Sequence, residues 1–70
     1  MASRMNFDWL TIADGNPHRL NTWTELGDRP TTPHRVHSRL AYFRKKYGWQ
    51  SARVKIIDDA ACLVEITIVP

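Results

Sequence analysis

Thr32 to Trp49 reads TPHRVHSRLAYFRKKYGW, and this stretch decides the fold. Thr32 is a strong N-cap, because its hydroxyl can accept a bond from a free amide of a first helical turn. Pro33 follows at the first helical position, where a missing N–H costs nothing. Val36, Leu40, Phe43 and Tyr47 recur at i, i+4, i+7 and i+11, a narrow apolar stripe about 60° wide at 100° per residue. Arg44, Lys45 and Lys46 crowd the last turn, where the helix dipole favours cations. Gly48 suits the left-handed position that ends a helix, and Trp49 can fold back on the last turn. The pattern predicts one well-capped helix.

After Gly48 the period changes from helical to alternating. Ala52, Val54 and Ile56 point one way, and Arg53, Lys55 and Ile57 the other. Residues 58–61 read as a turn. Cys62, Val64, Ile66 and Ile68 then alternate with Leu63, Glu65, Thr67 and Val69. Two such runs around a short loop predict a β-hairpin. The second run is apolar on both faces except at Glu65 and Thr67, as expected of a central strand. An isolated hairpin is marginal in water. A third strand is therefore sought upstream, and residues 7–12, FDWLTI, supply it, with Phe7, Trp9 and Thr11 on one face. ADGNP over residues 13–17 is turn chemistry. His18 to Leu26 reads as a short helix or irregular segment, with Trp23 in the core. GDRP over residues 27–30 breaks the chain before the main helix. The expected fold is α+β: one main helix packed on a small antiparallel sheet of about three strands. Val36, Leu40, Phe43 and Tyr47 are expected to pack on Val54, Ile56, Val64 and Ile66.

Seventy residues allow one small domain, residues 1–70, which buries only about 60% of its unfolded surface. Three Trp, two Tyr and two Phe help it form a core. The single cysteine, Cys62, excludes an internal disulfide framework and points to a cytoplasmic setting. In its apolar run it reads as a small buried hydrophobe. No apolar run reaches the ~18 residues that span a bilayer. MASRMNFDW lacks the apolar core of a signal peptide. Residues 1–5 are expected to be flexible.

Charge distribution is more informative than the net charge of +3. Arg29, Arg35, Arg39, Arg44, Lys45, Lys46, Arg53 and Lys55 fall in a span without a single Asp or Glu. Such polarity along the chain implies a basic face and an anionic partner. On the helix, Arg35, Arg39, Tyr42 and Lys46 form a second row at i, i+4, i+7 and i+11, beside the apolar stripe. Arg and Lys can contact phosphates, and Arg can also read guanine edges. Tyr42 can stack on a base or donate to a phosphate. Snorkelling over the sheet edges is the plainer use of such side chains. A helix built for stability alone usually carries Glu–Lys pairs at i, i+4, and this one has no acid. Arg44, Lys45, Arg53 and Lys55 complete the candidate binding residues, the last two on the face of the hairpin away from the core.

Other chemistry finds little support. His34 and His37 stand three apart on the helix, and His18 and Cys62 could join them, but nothing in the spacing requires a metal. His37 and Ser38 are adjacent on a helix and do not face each other. There is no glycine-rich phosphate loop. The sequence predicts a non-enzymatic protein without cofactor or metal.

The segment RVHSRLAYFRKKYGWQSARVKII and the strand after it resemble small phage-encoded proteins of the helix-plus-hairpin type. Their helix tends to read R-V-x-S-x-x-x-x-[YF]-x-K-K-x-G before a basic strand. Arg35, Val36, Ser38, Phe43, Lys45, Lys46 and Gly48 match, and the likeness covers residues 32–70. The second strand, CLVEITIVP, departs from the pattern in lacking a basic or aromatic ending. The resemblance implies a DNA-binding or regulatory protein of the host cytoplasm, and the compact size is similar to that of phage proteins that bind RNA polymerase. Two functions stay open. One is a small basic regulator acting in transcription through nucleic acid, RNA polymerase or both. The other is a protein-binding inhibitor that masks an acidic or nucleic-acid-binding surface of a host protein.

Overall fold

A computed structural model describes residues 8–22 and 32–70. The expected helix is α1, Pro33–Tyr47, with the predicted ends. Thr32 is extended, and its Oγ1 accepts from the Arg35 amide at 3.2 Å. Gly48 closes the helix at φ 72°, ψ 30°. The amides of Gly48 and Trp49 both turn back to the Arg44 carbonyl, the latter at 3.1 Å. Trp49 is buried by that fold-back, the hydrophobic contact that often accompanies a left-handed cap.

Three antiparallel strands lie beside it: β1, Pro17–Asn21, β2, Ser51–Asp58, and β3, Leu63–Val69, in the order β1-β3-β2. The fold is α+β, and β3 is central. Its alternation is strict, with Val64, Ile66 and Ile68 fully buried and Leu63, Glu65, Thr67 and Val69 half-buried. Opposed residues of an antiparallel pair share a face. The register Leu20↔Val64 and His18↔Ile66 on one side, and Val54↔Ile66 and Ala52↔Ile68 on the other, therefore defines the core face. Onto it pack Val36 and Leu40 of α1, with Trp9, Ile12 and Trp49, and Phe43 half-buried at the margin. Each fully buried aliphatic side chain contributes about 1.5–3 kcal/mol.

The third strand is not where the sequence placed it. Residues 9–12 form a 3-10 helix, not a strand. Asp8 caps it: its Oδ1 accepts from the Leu10 amide at 3.0 Å, and its carbonyl accepts from the Thr11 amide and hydroxyl. Local bonding of this kind competes with a sheet ladder. The buried residues are Trp9 and Ile12, a spacing of three that suits a 3-10 turn. The strand role passes to PHRLN, Pro17–Asn21, expected to be the end of a turn followed by a helical or irregular segment. The intervening bend is as expected, with the Asn16 amide donating to Asp14 Oδ1 at 2.9 Å. Expectations for Met1–Met5, Phe7, Trp23 and Gly27–Pro30 lie outside the described residues.

Two core assignments also change. Tyr47 is 42% exposed and Ile56 is 53% exposed. The hairpin turn runs over residues 59–62, one residue later than expected. Cys62 closes it at φ 57°, with its amide donating to the Asp59 carbonyl at 3.1 Å. The buried Thr22 holds this residue in place, donating from its hydroxyl at 2.9 Å and its amide at 3.2 Å to the Cys62 carbonyl, with the hydroxyl also against Cys62 Sγ. Cys62 is buried, as a small hydrophobe would be.

Candidate nucleic-acid or partner interface

The helix wheel places Val36 and Leu40 against the sheet, so the row from Arg35 to Lys46 falls on one flank of α1. Arg35, Tyr42 and Lys46 are exposed and Arg39 is half-buried. Tyr42 is 61% exposed. Lys46 leans over it, with Nζ 5.9 Å from the Tyr42 ring centroid, and also stands 5.6 Å from that of Tyr47. A cation over an exposed ring gains about 0.5–1 kcal/mol. The ammonium is thus held between two aromatic rings.

Those rings have a rigid backing. Phe43 meets Tyr42 edge-on at 5.2 Å and stacks on Tyr47 at 5.8 Å with 19° between planes. Its ring centroid also lies 5.8 Å from that of the buried Trp9, and the Tyr47 centroid lies 5.3 Å from that of the buried Trp49. An aromatic series therefore runs from the core to the surface and ends in two tyrosines beside cations. Tyr47 is the site residue that helical periodicity missed. Its i+11 position puts it in the apolar row, but it lies in the last turn, at the margin of the core. Its phenol, suited to a half-wet position, was the available signal.

The structure separates the other candidates. Arg44 lies on the opposite flank of α1, and its Nη2 donates to the Gln50 carbonyl at 3.1 Å, bracing the turn after the helix. Lys45 is exposed, away from the sheet. Arg53 and Lys55 are exposed and pair with Thr67 and Glu65. They thus stand on the face of the sheet opposite α1. They do not continue the helix stripe. Arg19 joins them on that outer face, with Nε 3.9 Å from Glu65 Oε1.

Of the residues considered for metal, His18 bonds Asp14 at 3.0 and 3.1 Å and Cys62 is buried. Among the described residues no three His, Cys, Asp or Glu side chains converge. Asp14 holds its proton less tightly than an ordinary carboxyl, because the Asn16 amide and then the His18 ring bond its charged form. Among the described residues no helix is long and apolar enough to cross a membrane. No protein family, curated protein or solved structure matches the chain.

Proposed function

We propose that this is a small basic, non-enzymatic regulatory protein of the cytoplasm, similar in kind to phage-encoded regulators. It acts in transcription by binding nucleic acid, alone or together with RNA polymerase, through the flank of α1 formed by Arg35, Arg39, Tyr42, Lys46 and Tyr47. One observation carries this proposal: Lys46 poised between two exposed tyrosine rings. Cations that meet phosphate, set beside aromatic faces that meet bases, are the usual means of gripping an unpaired nucleic-acid strand. Arg39 and Arg35 extend the charge about two and three turns from Lys46 along the same flank, with no acid on the helix to neutralise it.

The competing function, a protein-binding inhibitor, draws on large aromatic hot spots. Among the described residues, Trp9 and Trp49 are buried and unavailable to it. The aromatics that α1 exposes are tyrosines among cations, which favours nucleic acid.

Salt titration of binding to duplex DNA, single-stranded DNA and RNA tests the proposal. Replacing Arg35, Arg39 or Lys46 by Ala should weaken binding across many sequences and reduce the slope of log affinity against log salt by about one each. Absence of binding to all three at low salt overturns direct nucleic-acid recognition. Capture of RNA polymerase that survives nuclease treatment, and is abolished by the same substitutions, would make the flank a protein-docking surface instead.

A further inference from the structure

The second strand is an edge. Among the described residues β2 pairs only with β3, so one side of Ser51–Asp58 presents main-chain N–H and C=O groups ready for another strand. A groove of about 330 Å³ runs beside it, between β2 and the first turns of α1. Pro33, Val54 and Ile56 give it an apolar floor, with His34, His37 and Asp59 at its rim.

The other face of the same strand is cationic. Arg53 lies opposite Thr67, and Lys55 lies opposite Glu65, which Arg19 approaches from β1. Thus one acid faces two of these three cations from within the sheet, and Arg53 has none across from it. At the far end, Asp58 and Asp59 reverse the sign, and a bulge between Ile56 and Asp58 interrupts the regular ladder. The stretch open to pairing is therefore Ser51–Ile56, cationic on one face and apolar on the other.

We infer that this edge binds an extended acidic segment of a protein partner by strand addition. Side chains on an added strand alternate between faces, and those opposite each other stand about 4.5–5.5 Å apart. Acidic side chains of the partner face Arg53 and Lys55. The apolar side chain between them enters the groove over Val54 and Ile56. Main-chain bonds provide affinity and the alternate pockets provide selectivity. Nucleic acid has neither an amide backbone to extend the ladder nor an alternating apolar side chain. A second copy of this chain, adding β2 to β2, would set the Arg53 and Lys55 of each copy against the other's, and like charges directly opposite destabilise a pair. This surface is separate from the α1 flank and is independent of the function proposed for it.

The test is an NMR titration of the isotope-labelled full chain with a capped peptide of alternating Glu and Val, long enough to span Ser51–Ile56. The expected result is shift changes and slowed amide exchange along Ser51–Ile56. The Lys–Val counterpart should not bind. Arg53→Gln should weaken the Glu–Val peptide about threefold, the worth of an exposed ion pair, and Ile56→Asp about tenfold or more. Both positions are exposed, and a retained dispersed spectrum verifies the fold of each variant. Arg39→Ala should leave peptide binding unchanged. No response at about 1 mM peptide, changes confined to the α1 flank, equal binding of the Lys–Val peptide, or concentration-dependent protection of β2 without peptide would each overturn the proposal.

Discussion

Ile56 and Val64 face each other across the hairpin on the same side of the sheet, yet Val64 is fully buried and Ile56 is 53% exposed. The core is centred on β3, where Val64, Ile66 and Ile68 are all buried, and Ile56 stands on the edge strand beside the groove. Equal positions in an alternating pattern thus receive unequal cover.

Stability should follow that cover. Leu40→Ala, deep between α1 and the sheet, should cost about 2–5 kcal/mol by lost transfer energy and a residual cavity. Ile56→Ala should cost less than about 1 kcal/mol, as an exposed change does. Denaturant melts of the two variants check this, and equal losses would contradict the burial assigned to Ile56.

Gly48 should resist replacement for a purely conformational reason. A Cβ there meets nothing within 4 Å, so no clash contributes. The left-handed backbone alone should make Gly48→Ala cost about 1–2 kcal/mol. Gly48→Asn should cost less, because Asn tolerates that region better. Ala and Asn variants of equal stability would remove the left-handed cap as the cause.

The two tyrosines should separate packing from binding. Tyr42→Ala should lower nucleic-acid affinity by about 1–3 kcal/mol with little change in salt slope, the behaviour of a stacking residue. It should leave the melting temperature near that of the parent, given its exposure. Tyr47→Ala should lower affinity too, but also cost about 0.5–1.5 kcal/mol of stability through lost contacts with Phe43 and Trp49. Tyr47→Phe should restore that stability. Affinity and melting measured on the same preparations test the distinction.

Asp14 should give the acid limb a small dependence of known sign. Its carboxyl titrates below the ordinary range when folded, so folding favours the charged form. The gain is present above the unfolded value of about 3.9 and disappears as pH falls through the lower folded value. Asp14→Asn should therefore melt slightly earlier than the parent at about pH 6, and the two curves should converge as pH falls below the folded value of Asp14. A difference that persists at low pH would mean that Asp14 acts through its geometry and not its charge.

The elements with complete local signals were legible in the sequence. Thr32, Pro33 and Gly48 define both ends of α1, and the run at residues 62–69, apolar on both faces except at Glu65 and Thr67, marks a central strand. The weak elements were not. PHRLN has no β-branched residue and buries only Leu20 fully, so its strand identity comes from pairing with β3 and not from its own pattern. FDWLTI is rich in aromatic and β-branched residues like a strand, but over residues 8–12 the Asp8 bonds win locally. At the candidate site, Arg35, Arg39, Tyr42 and Lys46 could be grouped from helical spacing alone. Strand alternation also placed Arg53 and Lys55 on the face away from the core, as observed, and that same placement separates them from the flank of α1.

The placement of β3 between β1 and β2 has a consequence for how the chain is made. Pro17 pairs with Thr67 and Ser51 with Val69, so neither outer strand has its neighbour until Leu63–Val69 has been synthesised. A ribosome that stalls before Leu63 holds the α1 segment and two strands with the middle of their sheet missing. Pairing of β1 also closes a long loop, a slow step compared with forming a hairpin. Assembly of the core must therefore wait for the later segment and then proceed cooperatively. Nascent chains shorter than that should remain sensitive to protease, while addition of β3 confers resistance.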